Sequence, residues 1–167
     1  MDIKEKEEAE AVTNASSIIF LAKIDALHLA KRVFSHLYIP EEVMKEISIK
    51  KTPELFFLEK EYSSFLKEVK VSELKKMPLD DGERAAISYC LEKKINFFLS
   101  DDLKARRYAH SLGIRTIGIL GILIFNLKDK FLSKKEFLEL FDKLIDKGYY
   151  ISSQLYLEVM KEIQDYF

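Results

Sequence analysis

The sequence predicts a three-layer α/β/α protein: a central, mainly parallel sheet of about five strands with helices on both faces. Three observations carry that expectation. Short apolar runs alternate with longer stretches at helical spacing, the order that yields parallel strands joined by crossover helices. One run, INFFL at 95–99, is almost continuously apolar, as a strand covered on both faces requires. The 167 residues, 48% of them hydrophobic, are enough to bury a sizeable core.

Taken in order, residues 10–13 predict the first strand. Asn14 follows, and ASSIIFLAKIDALHLAKRVF then carries apolar residues at helical spacing, with Asn14 or Ser16 as N-cap. LYIP, 37–40, predicts the second strand, and Pro40 and Glu41 open a helix carrying Val43, Met44, Glu46 and Ile47. Thr52 and Pro53 predict the start of a further helix through Phe57, Tyr62 and Phe65. VKVSEL, 69–74, reads as a strand. LDDGERAAISYCLEKK reads as an Asp81-Gly82 turn feeding a helix over 83–93. After INFFL, DDLKARRYAHSLG predicts a helix ended by Gly113, and IRTIG, 114–118, a last strand. Three helices complete the chain: GILIFNLKDK, one opened by the capping box Ser133 to Glu136 and stopped at Gly148, and one capped near Ser152 or Ser153. Without repeats, low-complexity segments or a linker, residues 1–167 are expected to form one domain, with 128–167 a helical extension packed on it.

Composition excludes several classes. A formal net charge of −1 argues against nucleic-acid binding by overall charge but leaves room for a local basic patch. Cys90 stands alone, which fits a reducing compartment, and three histidines beside it argue against structural zinc. The charged N-terminus has no signal-peptide core, and the longest apolar run, 116–127, is too short to span a bilayer. A cytoplasmic protein without membrane contact is expected. Abundant Lys, Glu and Ile beside few Gln point to a thermophilic source.

In parallel α/β folds the ligand site lies beyond the carboxyl ends of the strands. Asn14 ends the first strand, and Asp101 and Asp102 end the INFFL strand. Glu46 sits in the helix after LYIP, and Glu83 opens the next. Converging, these side chains would form an oxygen-lined pocket whose charges oppose one another when it is empty. Such a pocket suits Mg²⁺ or Mn²⁺, which prefer oxygen ligands, and a metal held there acidifies a water and stabilises charge on a phosphate. Each residue also has an ordinary role: Asn14 as an N-cap, Glu46 as a solvated acid, Glu83 as a first-turn acid, Asp101 as a cap with Asp102 paired to Arg106.

The ordered series TNASSIIFLAKI, YIPEEVMKEI, LDDGERAAISYC and FFLSDDLKARRYAHSLGIRTIGILGIL resembles a PIN domain over about residues 11–127. More closely it resembles a prokaryotic, archaeal PIN subfamily with asparagine in the first acidic position. The resemblance implies a metal-dependent nuclease acting mostly on RNA. It implies Asn14, Glu46, Glu83 and either Asp101 or Asp102 as the metal-binding and catalytic set, and Ser16 as a hydroxyl near the metal. It also implies a VapC-like toxin with a small antitoxin partner, and a homodimer. Asn14 departs from the acidic pattern: its amide oxygen brings no charge, which is expected to weaken Mg²⁺ binding by ~1–3 kcal/mol.

The basic helix beside the acids carries Lys104, Arg106 and Arg107, which could meet a phosphodiester or simply face solvent. Lys23 is a further candidate cation. Tyr149, Tyr150 and Tyr156 could stack bases, but packing between the last two helices is the simpler expectation. Two functions follow: a Mg²⁺/Mn²⁺-dependent endoribonuclease, and a non-catalytic module that keeps the fold and binds RNA or a protein. A phosphoacceptor receiver domain is disfavoured, because the first strand ends in Asn14 and no lysine follows the last.

Overall fold

The computed structural model describes residues 9–51, 54–55 and 60–166. The elements in chain order are β1 (Glu10–Thr13), α1 (Ala15–Lys23), α2 (Leu27–Val33), β2 (His36–Pro40), α3 (Glu41–Ile49), β3 (Leu66–Val69), α4 (Asp81–Lys93), β4 (Phe97–Leu99), α5 (Leu103–Ser111), β5 (Arg115–Ile117), α6 (Ile119–Lys128), α7 (Lys134–Asp146) and α8 (Ser153–Gln164). The five strands form one parallel sheet in the order β3-β2-β1-β4-β5.

That order places a switch point between β1 and β4. From β1 the chain winds outward through β2 and β3, then returns to lay β4 on the other side of β1. The connections therefore diverge at the carboxyl ends of β1 and β4, which opens a crevice there. Thr13 pairs with Leu99, so Asn14 and Ser100 leave the sheet side by side.

Strand alternation builds two cores from one sheet. Ala11, Leu37 and Leu99 face a cluster with Ile18 and Leu21 of α1, Val43 of α3, Leu123 of α6, Phe137 and Phe141 of α7, and Val159 of α8. Val12 and Phe98 face the other cluster, with Ala86, Ile87 and Cys90 of α4 and Ala105 and Ala109 of α5. The two C-terminal helices thus share the larger core. Truncating the fully buried Phe141 to alanine would cost about 3–5 kcal/mol. The capping box is present, with Ser133 accepting from Glu136 N–H at 3.1 Å and Glu136 accepting from Ser133 N–H at 2.8 Å.

Several boundaries differ from expectation. The long helical pattern after Asn14 divides into α1 and α2, because Asp25 adopts φ +55°. Asp25 N–H bonds Ala22 C=O at 3.0 Å and Ala26 N–H bonds Leu21 C=O at 2.8 Å, a Schellman closure built without glycine. The third strand is Leu66–Val69 and not 69–74. Ser72 directs its N–H and hydroxyl to the Glu92 carboxylate of α4 at 2.9 and 2.8 Å, which takes that segment away from the sheet. α4 begins at Asp81 with Asp80 as N-cap, so Gly82 lies inside its first turn. Pro40 is the N-cap position of α3, and Ser152 caps α8. α6 starts at Ile119, two residues earlier than GILIFNLKDK suggests. Of the helix expected from Thr52, residues Thr52, Pro53 and Phe57 lie outside the described residues, and Tyr62 and Phe65 belong to the turn entering β3. Among the described residues no helix is long and apolar enough to cross a membrane.

Candidate functional site

At the switch point lies an open cavity of about 460 Å³. Asn14, Glu46, Glu83, Asp101 and Asp102 all line it, as does Ser16, so side chains up to 88 positions apart share one hollow. Four elements deliver them. β1 ends at Asn14, β4 leads to Asp101 and Asp102, α3 carries Glu46, and the first turn of α4 carries Glu83.

Asn14 is buried, and both ends of its amide are hydrogen-bonded. Its oxygen accepts from Ser17 N–H at 3.1 Å, capping α1, and its Nδ2 donates to Ser100 Oγ at 3.0 Å. Ser100 Oγ also accepts from Asp102 N–H at 3.2 Å. The amide therefore ties the end of β1 to the end of β4.

Asp101 and Asp102 have different surroundings. Asp101 accepts from the Ser17 hydroxyl at 2.8 Å, the Tyr149 hydroxyl at 2.6 Å and Ile119 N–H at 3.1 Å. It sits at the N-terminus of α6, where the helix dipole favours a negative charge. A side chain at Gly118 would collide with the Asp101 carboxylate and Arg106 Nη1, so the bare backbone there permits the approach. Burial and the Asp101 charge push the Tyr149 hydroxyl above the usual phenol range, which keeps it a donor. Asp102 is exposed and caps α5, accepting from Ala105 N–H at 2.8 Å.

Glu83 is half-buried, and its surroundings disfavour its charge. Its carboxyl is raised from 4.5 to about 7, first by desolvation and then by the charges of Asp80, Asp102 and Glu46, with Lys104 opposing. Glu46 approaches the first turn of α4 closely enough that a Cβ at Gly82 would lie 2.9 Å from its Oε2. Its other oxygen pairs with Lys50 at 2.9 Å. Asp80 caps α4 through Glu83 N–H at 2.8 Å. Sequence reasoning missed Asp80 as a member of the cavity wall; the signal was a cap position three residues before Glu83.

These donors suit a hard divalent cation in chemistry and charge: all are oxygens, and burial together with the neighbouring acids disfavours the charge of Glu83. Among the described residues, no three or more carboxylates, histidines or cysteines already stand in metal-holding geometry. Glu46 is turned to Lys50, and Asp80 and Asp102 to helix ends, so binding requires side-chain rotation. Rotating such side chains at the cavity wall costs little beside leaving opposing charges uncompensated.

The expected basic residues separate. Lys104 is exposed near the carboxylates, and its charge is felt at Glu83. Arg106 does not follow the expected pairing with Asp102 but reaches the Ser100 carbonyl at 3.4 Å. It also lines an adjoining cavity of about 400 Å³ that shares Asp101 and Tyr149. Arg107 is exposed and borders neither cavity. Phe20, Tyr149 and Tyr150 complete the acidic cavity's wall.

A five-stranded parallel sheet of order 3-2-1-4-5, with acids from separate segments gathered at its switch point, defines an α/β class with an acidic crevice. Residues 10–165 match the family DUF3368, a PIN domain, and the chain belongs to that family. PIN domains are a nuclease-type family, generally dependent on divalent metal ions. No curated protein matches the chain.

Proposed function

We propose that this protein is a cytoplasmic, Mg²⁺- or Mn²⁺-dependent endoribonuclease whose crevice hydrolyses RNA phosphodiesters. The observation that carries the reading is the gathering of Glu46, Asp80, Glu83, Asp101 and Asp102 around one open cavity at the switch point. Glu46, Glu83 and Asp102 would hold the cation, with Asp80 beside them and the Asn14 oxygen as a neutral donor. The bound metal would supply Lewis acidity toward the phosphate and an acidified water.

The chain's own residues do the rest. Asp101, held by three donors, keeps β4, α1, α6 and the segment after α7 in register around the crevice. Glu83 would serve the cation as a carboxylate, its proton released to solvent. Lys104 offsets part of the negative field that would otherwise repel a phosphodiester. The Ser16 hydroxyl, exposed in the wall, is available to a phosphate oxygen or the metal's hydration shell.

Labelled RNA incubated with pure protein and Mn²⁺ should be cut, and chelator should stop the cutting. Equal cleavage with chelator, or activity surviving joint Asp101→Ala, Asp102→Ala and Glu83→Ala substitution, overturns the proposal. One observation favours a second reading, a module that binds RNA or a protein without cutting: the Asn14 amide is already committed to Ser17 and Ser100. Cleavage by wild-type protein removes that reading; cleavage only by Asn14→Asp supports it.

A further inference from the structure

The second cavity, of about 400 Å³, shares Asp101 and Tyr149 with the acidic one. The Tyr149 hydroxyl donates to Asp101 at 2.6 Å, so this bonded pair stands between the two hollows. The volume is that of a small-ligand site, and the proposed metal chemistry leaves it unused. Its apolar surface comes from Ile117, Leu120 and Ile124 of β5 and α6, and from Leu155 and Val159 of α8. Four charged side chains join them: Asp101, Arg106, Glu158 and Glu162. Two of the four are committed. Asp101 accepts from three donors, and Glu162 pairs with Lys128 at 2.7 Å. The other two are open. Among the described residues Arg106 forms no ion pair, and its bond to the Ser100 carbonyl is long, at 3.4 Å. Glu158 accepts from Gln154 at 3.0 Å; both are exposed, so a ligand can displace that amide. The cavity thus offers a donor-only fork from α5 and an acceptor-only carboxylate from α8, beside apolar surface.

We propose that this second cavity is a guanine-binding pocket, which selects the base next to the nucleotide whose phosphate enters the acidic crevice. Guanine carries two acceptors, O6 and N7, side by side on one edge, and two donors, N1–H and the N2 amino group, on another. A guanidinium fork matches the first pair and a carboxylate the second. Adenine sets a donor beside N7, where the fork needs an acceptor. Cytosine has a single amino group, and the one N–H of uracil lies between two carbonyls that oppose a carboxylate. The flat faces of the base suit the leucine, isoleucine and valine surface. Because Asp101 and Tyr149 separate the hollows, a strand crossing them puts neighbouring nucleotides in the two. The inference rests on the nuclease reading for the strand and deepens it by naming the base selected.

The test is fluorescence anisotropy of a labelled oligouridine carrying one central guanine, in buffer containing Ca²⁺ as the cation. In matched strands the guanine is replaced by adenine, by hypoxanthine, which lacks the N2 amino group, or by 7-deazaguanine, which lacks N7. Wild type should bind the guanine strand about 5- to 100-fold more tightly than the adenine strand. Each deleted atom should report its own residue. The hypoxanthine penalty should vanish in Glu158→Gln and the 7-deazaguanine penalty in Arg106→Lys, a pairing that general loss of structure does not produce. Guanosine monophosphate that competes as tightly as the strand keeps the pocket and assigns its guanine to a free nucleotide; weak competition assigns it to RNA. Equal affinity for the guanine and adenine strands, or a hypoxanthine penalty unchanged in Glu158→Gln, overturns the pocket. The outcomes separate the two proposals. Guanine preference with no Mn²⁺-dependent cleavage defeats the nuclease and keeps the pocket; cleavage with equal binding of the guanine and adenine strands does the reverse.

Discussion

Glu83→Gln should stabilise the metal-free protein at neutral and alkaline pH. The native fold holds this carboxyl near 7 against an ordinary 4.5, so folding favours its protonated form. Its contribution to stability is fully present below pH 4.5 and is lost as pH rises through about 7. At 1.36 kcal/mol per pH unit, the move from 4.5 to about 7 sets a ceiling of about 3.4 kcal/mol. Glu83 is only half-buried, and solvent screening reduces the expected gain to ~1–2 kcal/mol. Glutamine keeps the shape and removes the charge. Urea denaturation in chelator is the assay: at about pH 8 the variant should unfold at higher urea, and the gain should vanish below about pH 4.5. Added Mn²⁺ should then reverse the order, raising the wild-type melting temperature more than the variant's. A Glu83→Gln protein no more stable than wild type at about pH 8, or one whose gain ignores pH, would refute the claim that opposing charges load this site.

Gly82→Ala should separate stability from binding. The new methyl displaces the Glu46 carboxylate, a flexible chain end, while alanine suits the first turn of α4 better by ~0.5–1 kcal/mol, so melting temperature rises as Mn²⁺ affinity falls in calorimetry. Asn14→Asp should tighten Mn²⁺ binding by ~1–3 kcal/mol while lowering the metal-free melting temperature, because the donor to Ser100 is lost and a charge is added. Cys90, whose thiol burial pushes up to about 12, should resist a thiol reagent in native protein and react fully in denaturant; rapid native labelling would contradict its place in the α4 core.

What could be read from the sequence was whatever repeats locally. β1 was legible to the residue, since its apolar run is bounded by the polar cap Asn14. The carboxylates at strand ends and helix starts followed from the switch-point rule once the alternation of elements was recognised. β3 was misplaced because LKEV lies at the sheet edge and shows only one buried residue, Leu66, whereas the neighbouring VKVSEL alternates more cleanly. The break at Asp25 was invisible because αL positions are usually read from glycine, and none is present there. The roles of Asp101 and Asp102 could not be separated, because the Tyr149 hydroxyl that distinguishes them comes from 48 positions away. Asp80 was hidden for the opposite reason: its local role as a helix cap fully accounts for it in a linear reading.

Asn14 can be understood from the same charge balance. The Glu83 carboxyl is already raised to about 7, first by burial and then by the charges of Asp80, Asp102 and Glu46, with only Lys104 opposing. A further carboxylate at position 14 would stand buried beside Ser100 and three residues before Ser17, whose hydroxyl already serves Asp101, in a place where water cannot screen it well. The amide avoids that load and does something a carboxylate cannot. It donates to Ser100 while accepting from Ser17, which locks β1 to β4 at the point where their connections part. On the proposed reading, position 14 thus exchanges cation affinity for a better-held crevice. The acids that would turn to meet a metal lie on α3 and at the N-caps of α4 and α5, whereas Asn14 and Ser100 tie the strand ends together. On that reading, a site divided in this way would stay folded without its cation and still gather around one, with an affinity set by how far Glu46, Asp80 and Asp102 must turn from Lys50 and from their helix caps.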